Sequence, residues 1–259
     1  MRLLGAVALV AVMSWTPALA AERGKSPMDL YRAGNYEAAV AAGEAEGSGQ
    51  ALAVAARAVL ADANLRDVPC MPCLKRAESL ARRSIALDAK HPEAFVYLAV
   101  ALGYEARLVG SLRARFARYP EQAKEAIDRA LGVAPNDSWS LAAAGTWNIE
   151  VVRNGGSFLA RTLYGASAAV GEDYLRRAVA AEPENLVIRF QHALLLSGLD
   201  LNANRQEAAA ELATATMTEP RTAYERALKT RAARLLDLIK ANRRDEYMAL
   251  VNRYQGYPS

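Results

Sequence analysis

Three stretches of this chain end alike: Ala86-Leu87-Asp88-Ala89-Lys90-His91-Pro92, Ala130-Leu131-Gly132-Val133-Ala134-Pro135-Asn136 and Ala178-Val179-Ala180-Ala181-Glu182-Pro183-Glu184. Each runs from alanine and an aliphatic residue through a short small or polar linker to proline. A proline suits the first turn of a helix, where its missing N–H would have had no intrahelical partner. Each is therefore read as opening a fresh amphipathic helix, at Ala94–Tyr104, Ser138–Val152 and Leu186–Leu199. Upstream of the first, Ala77, Leu80, Ala81, Ser84, Ile85 and Leu87 recur at helical spacing, with Glu78, Arg82 and Arg83 on the other face. Ala123, Ala126, Ile127, Ala130 and Leu131 repeat that pattern, as do Tyr174, Leu175, Ala178 and Val179, and then Ala208, Leu212 and Ala213. Alternating strand-like runs bounded by turn pairs do not occur.

The three prolines are 43 and 48 residues apart, against about 34 in a tetratricopeptide repeat. Inserts at Leu108–Tyr119 and Asn154–Ser167 hold the surplus. The pattern predicts an all-α fold, an antiparallel helix-pair, tetratricopeptide-like right-handed solenoid with inserts, because stacked pairs bury a core that no single pair can. A divergent N-terminal repeat at 27–65 carries the helix–turn–helix signal Gly34-Asn35-Tyr36. The central repeats span 74–201 and capping helices 203–255, all within one domain over 21–259.

Residues 1–20 have a different character. Arg2, an apolar run from Leu3 to Trp15 and Ala18-Leu19-Ala20 form the pattern of a cleaved secretory signal peptide. Its run of about 13 residues falls short of the roughly 20 a spanning helix needs, so the expected location is the periplasm. The whole chain has 259 residues, 56 of them alanine, with 53% hydrophobic and 23% charged residues, which excludes a disordered class. Two histidines and two cysteines give no basis for a multi-ligand zinc, haem or iron–sulfur centre, so neither metal nor cofactor is expected. Twenty-six arginines and six lysines are interleaved with 28 acids, without the basic patch and motif that nucleic acid demands.

Leu102-Gly103-Tyr104 followed by a basic insert, Gly145-Thr146-Trp147-Asn148-Ile149-Glu150-Val151, and Leu163-Tyr164-Gly165-Ala166-Ser167 fall together within Ala77–Leu201. In these features the chain resembles the regulator of microtubule dynamics family, tetratricopeptide-like proteins with bacterial relatives, over about half its length. The resemblance implies a scaffold without established chemistry. The eukaryotic microtubule association is not implied for an exported protein.

Trp147 and Glu150, three apart on one helix, share a face. They either line a concave groove together with Arg153 and Tyr164, or they are packing residues. In the packing reading, the indole lies against the Tyr164 loop and Glu150 pairs with Arg153 or Arg161. Helical spacing of an aromatic favours packing.

Cys70-Met71-Pro72-Cys73 is open to a redox, zinc, haem or disulfide reading. Leu74 stands where haem attachment needs histidine, and an oxidising compartment favours a short-loop disulfide. Leu108–Tyr119 carries Arg113, Arg115 and Arg118 among Leu112, Phe116 and Tyr119. It is either a solvated insert or a surface for peripheral contact with an anionic membrane or acidic partner. Phosphate-loop, nucleophile-elbow and zinc-protease motifs are absent. His91, before a proline, and His192, within an apolar helix, read as structural.

The sequence thus predicts a non-catalytic periplasmic scaffold or adaptor that engages a protein or peptide partner in the cell envelope. The alternative is a small-molecule-binding accessory component of an envelope transport system. A thiol-disulfide protein acting through Cys70 and Cys73 comes third.

Overall fold

The three matching stretches fold as three turns of one kind. Asp88, Ala134 and Glu182 each donate their backbone N–H to the carbonyl four residues back, on Ser84, Ala130 and Ala178, at 2.9, 2.9 and 3.2 Å. The carbonyls of Asp88, Ala134 and Glu182 in turn accept from the N–H three residues on, of His91, Asp137 and Asn185, at 3.3, 3.2 and 3.0 Å. The turns start 46 and 48 residues apart, and the next helices begin at Pro92, Ser138 and Leu186.

This corrects the equivalence of the prolines. Pro92 opens its helix, whereas Pro135 and Pro183 stand inside the turn, three residues before theirs. Capping chemistry explains the difference. The Asp137 and Asn185 side chains accept from Ser140 N at 2.8 Å and Ile188 N at 3.1 Å, so those helices start directly after a strong N-cap. His91 makes no side-chain cap, and there proline removes one of the orphan donors instead.

The computed structural model describes residues 24–66 and 70–258; the expected signal peptide lies outside them. Among the described residues there are twelve helices and no strand. They are α1 (Pro27–Ala33), α2 (Tyr36–Glu46), α3 (Gly49–Leu65), α4 (Met71–Leu87), α5 (Pro92–Val109), α6 (Ser111–Phe116), α7 (Tyr119–Val133), α8 (Ser138–Tyr164), α9 (Ala168–Ala181), α10 (Leu186–Met217), α11 (Ala223–Lys240) and α12 (Arg244–Tyr254). None is long and apolar enough to cross a membrane.

Both inserts are helical. Leu108–Tyr119 forms the end of α5, the short α6 and the first residue of α7, while Asn154–Ser167 continues α8 past the expected Val152. Within α8 the backbone turns at Gly156, whose φ of 75° is strained for any residue with a Cβ. Similarly, α10 runs beyond Leu199, with a kink at Asp200.

Each helix packs on its chain neighbours; α3 on α5, α5 on α7 and α8 on α10 pack one step further, and α5 on α8 two steps further. Helices α8 and α9 cross closely: a Cβ on Gly145 would lie 2.8 Å from the Gly171 carbonyl oxygen and 2.6 Å from Leu175 Cγ. Helix α11 does something a simple stack does not. It packs on α1 and α3 as well as on α10 and α12, so the last helices meet the first. One apolar core joins α1–α8 and a second joins α10–α12, with Trp139 and Tyr224 packed against both.

Candidate functional site

The junction between first and last helices is polar. Asn64, near the end of α3, donates to the Tyr104 hydroxyl at 2.6 Å and to the Tyr254 carbonyl at 3.1 Å, and accepts from the Tyr224 hydroxyl at 3.0 Å. The Arg231 guanidinium, stacked on Tyr254, donates to the carbonyls of Asn64 and Leu65 at 3.1 Å. These are orphan carbonyls of a helix C-terminus, where a cation is favoured by geometry and dipole alike. Burial raises the pKa of Tyr104 and of Tyr224, so both remain neutral hydroxyls.

Behind this junction lies a cavity of about 620 Å³. Its walls come from α1, α3, α5, α6, α7, α8, α10, α11 and the segment after α12, and are chiefly aliphatic and aromatic, with Tyr31, Tyr97, Trp139 and Trp147 among them. The charged lining residues are Arg57, Arg107, Arg115 and Glu150.

At one end Glu150 is the centre of a buried network. It pairs with Arg107 at 3.3 Å and Arg153 at 3.9 Å and accepts from the Tyr257 hydroxyl. Arg153 also donates to Gln255 Oε1 at 2.5 Å and Asn252 Oδ1 at 2.6 Å, and its guanidinium lies 4.3 Å from the Tyr257 ring centroid. The segment after α12 is thereby tied to the middle of α8. Burial by itself would raise the Glu150 pKa; Arg107, the Tyr257 hydroxyl and Arg153 outweigh it and hold the carboxyl below its ordinary value. Tyr257 is pushed up, by burial and then by the Glu150 charge.

Among the sequence-predicted residues, Trp147, Glu150 and Tyr164 border the cavity together. The Trp147 indole donates to the Pro120 carbonyl at 2.8 Å and meets the Tyr164 ring edge-on at 6.4 Å. Arg153 stands behind Glu150 and is not part of the wall. Cys70 and Cys73 are elsewhere, at the start of α4, at disulfide distance with Cα atoms 5.3 Å apart. Cys70 is the N-cap there, its sulfur accepting from Cys73 N at 3.1 Å, so the helix begins ahead of Cys73 rather than at it.

His91 holds the N-cap position of α5 without a side-chain capping bond, and buried His192 lies 3.2 Å from Glu211 Oε1. No group of His, Cys, Asp and Glu suited to a metal occurs among the described residues. Of the basic insert, Leu112 and Arg115 reach the cavity.

Arg57, Trp139, Arg107 and Tyr257 were not singled out by the sequence. Arg57 did leave a signal: it interrupts Ala51–Ala61, a run otherwise made of Ala, Leu and Val. No family model matches the chain, and no curated protein matches it.

Proposed function

We propose that this is an exported, non-catalytic helical-repeat binding protein whose interior cavity holds a small ligand with an apolar body. The observation that carries this reading is the cavity itself. At about 620 Å³ it falls within the roughly 300–1,000 Å³ of small-molecule sites, and its wall is apolar with few, placed polar groups. The lining carboxylate is committed to two arginines and a tyrosine, which favours holding over turnover. Closure of α11 on α1 and α3 favours this over an adaptor with an open peptide groove, the other reading of the same face. A tetratricopeptide-like, right-handed stack of antiparallel pairs, kin to the regulator of microtubule dynamics family, belongs to the proposal. The repeated turns and the contact of Trp147 with Tyr164 support it.

The surface beside the cavity suggests where the protein works. Leu112, Phe116, Phe158, Leu159 and Leu163 are exposed, Phe116 and Phe158 at 81% and 78%. They lie on α6 and the second half of α8, in segments 110–118 and 154–165, which carry Arg113, Arg115, Arg118 and Arg161 and no acid. Apolar side chains among cations suit peripheral contact with an anionic membrane surface.

Native mass spectrometry of the chain purified from its own envelope tests the reading, with N-terminal sequencing to locate cleavage after Ala20. A bound small molecule released on unfolding is expected. Folded protein that carries none, and whose melting no apolar probe shifts, would overturn it.

A further inference from the structure

The arginines of this molecule's interior have anionic or carbonyl partners: Arg107 and Arg153 share Glu150, Arg189 holds Glu211 at 2.6 Å, and Arg231 holds the end of α3. Arg57 is different. Its guanidinium lies between two ring faces, 4.6 Å from the Tyr31 centroid and 5.3 Å from that of Trp139, and it borders the cavity. Among the described residues no carboxylate stands within 4 Å of it. Glu93, which acts on it electrostatically from further off, is engaged by the Tyr97 hydroxyl at 3.0 Å.

Arginine stays protonated in proteins and offers five donors in a fixed fork suited to a carboxylate or similar planar anion. Tyr31 engages Arg57 through its hydroxyl as well as its ring; ring faces offset part of the cost of burying the charge but accept no in-plane hydrogen bonds, and one hydroxyl cannot satisfy five donors. The plane of a guanidinium clamped between aromatic faces is restrained, so little freedom is lost when an anion docks. Around it the cavity is apolar, and three lining arginines stand against one glutamate that is already committed.

We infer that the cavity selects organic acids, seating an anionic head group on Arg57 between Tyr31 and Trp139 with the apolar body in the space bounded by α5, α7 and α8. This rests on the proposed binding function and names its ligand class. Arg115 sits at the exposed rim and acts on Tyr164, so it guides the anion inward rather than holding it.

The test is titration of the mature chain with dodecanoate and with 1-dodecanol, which share an apolar body and differ in charge, followed by Trp fluorescence and calorimetry. A charge-assisted pair at a partly desolvated site is expected to favour the acid at least tenfold. Arg57→Met should remove that preference while leaving dodecanol binding intact, Arg57→Lys should retain part of it, and Arg115→Gln should leave it in place. Circular dichroism and melting of each variant confirm that it is folded. Should Arg57→Met unfold, the Arg57→Lys and Arg115→Gln arms decide. Equal binding of acid and alcohol to the wild type overturns the acid inference and spares the cavity reading. Failure of both probes to bind overturns the two together. A preference that follows Arg115 instead of Arg57 also refutes the assignment.

Discussion

Replacing Glu150 by glutamine removes one negative charge from beneath two guanidiniums and changes almost nothing in shape. The side chains of Glu150 and Arg107 are each only 12% exposed and that of Arg153 is 16% exposed. Removing one partner from a buried ion pair typically costs about 3–5 kcal/mol, because the remaining charge is stranded away from water. Glutamine still offers a carbonyl to Arg107, so the lower end, about 3 kcal/mol, is expected at pH 7. The comparison is Glu44→Gln. Glu44 pairs with Arg76 at 2.8 Å and Arg83 at 3.4 Å, but at the surface, where pairs contribute about 0.2–1 kcal/mol each.

Urea denaturation of the three proteins measures both costs, and pH supplies a second check. The Glu150 pKa is lower in the folded protein than in the unfolded chain. Its contribution is therefore complete above the unfolded value of about 4.3 and is lost as pH falls through the lowered folded value. The gap between wild type and Glu150→Gln should hold steady from pH 7 to about 5 and close in stronger acid. A gap under about 1 kcal/mol at neutral pH, a Glu44→Gln variant equally damaged, or a gap indifferent to acid would refute the reasoning.

Trp147→Ala removes a buried indole and its bond to Pro120, and should cost about 3–5 kcal/mol and lower Tm by roughly 6–20 °C; a shift under 3 °C counts against its packed position. Gly145→Ala has a testable sign: helix propensity alone would stabilise by about 1 kcal/mol, but the new Cβ would press on a backbone oxygen of α9 that cannot swing aside. Net destabilisation in denaturant is expected, and a gain would mean that α8 and α9 are further apart than described. Joint replacement of Cys70 and Cys73 by serine should cost about 2 kcal/mol, since so short a loop constrains the unfolded chain little; reductant should destabilise the wild type by the same amount. Arg231→Gln should loosen hydrogen-exchange protection at the end of α3 and along α11 while sparing α8 and α9. Uniform loss over the molecule would deny that the junction is a separate seam.

The helical class was legible because its signals are local. Alanine content, apolar spacing at Leu80 and Ile127 and the recurring helix ends lie within single helices or adjoining turns. Proline misled the register because it serves two places near a helix start, as first residue in Pro92 and as turn residue in Pro135 and Pro183. Asp137 and Asn185, the capping side chains, mark the true starts. Trp147 and Glu150 were found through one motif and Tyr164 through a second, and the three do meet at one cavity. Arg107 and Tyr257 were not, since the contacts of Glu150 with them span 43 and 107 residues. Nothing local specifies such pairings. Arg57 was legible as a lone charge in the apolar run Ala51–Ala61, but its two ring partners arrive from α1 and α8.

Closure changes what the repeats can do. An open stack leaves its terminal helices half covered and must shield them with polar caps. Here α11 and α1 pack on one another, and a cavity lies behind their junction. The seam is built from Asn64, Tyr104, Tyr224 and Arg231 rather than from aliphatic side chains. Such contacts are satisfied in one alignment and costly in any other, so they set how far the array bends. That in turn fixes the space between the Arg57 end and the Glu150 end. The two ends are then unlike by construction. Glu150 spends its charge on the frame, binding the segment after α12 to α8, while Arg57 has aromatic neighbours that hold it in place without neutralising it. A cavity with one committed ionic end and one uncommitted cationic end imposes a direction on whatever enters, and the exposed Leu112, Leu159 and Leu163 that border it place the apolar approach on the side of α6 and the second half of α8.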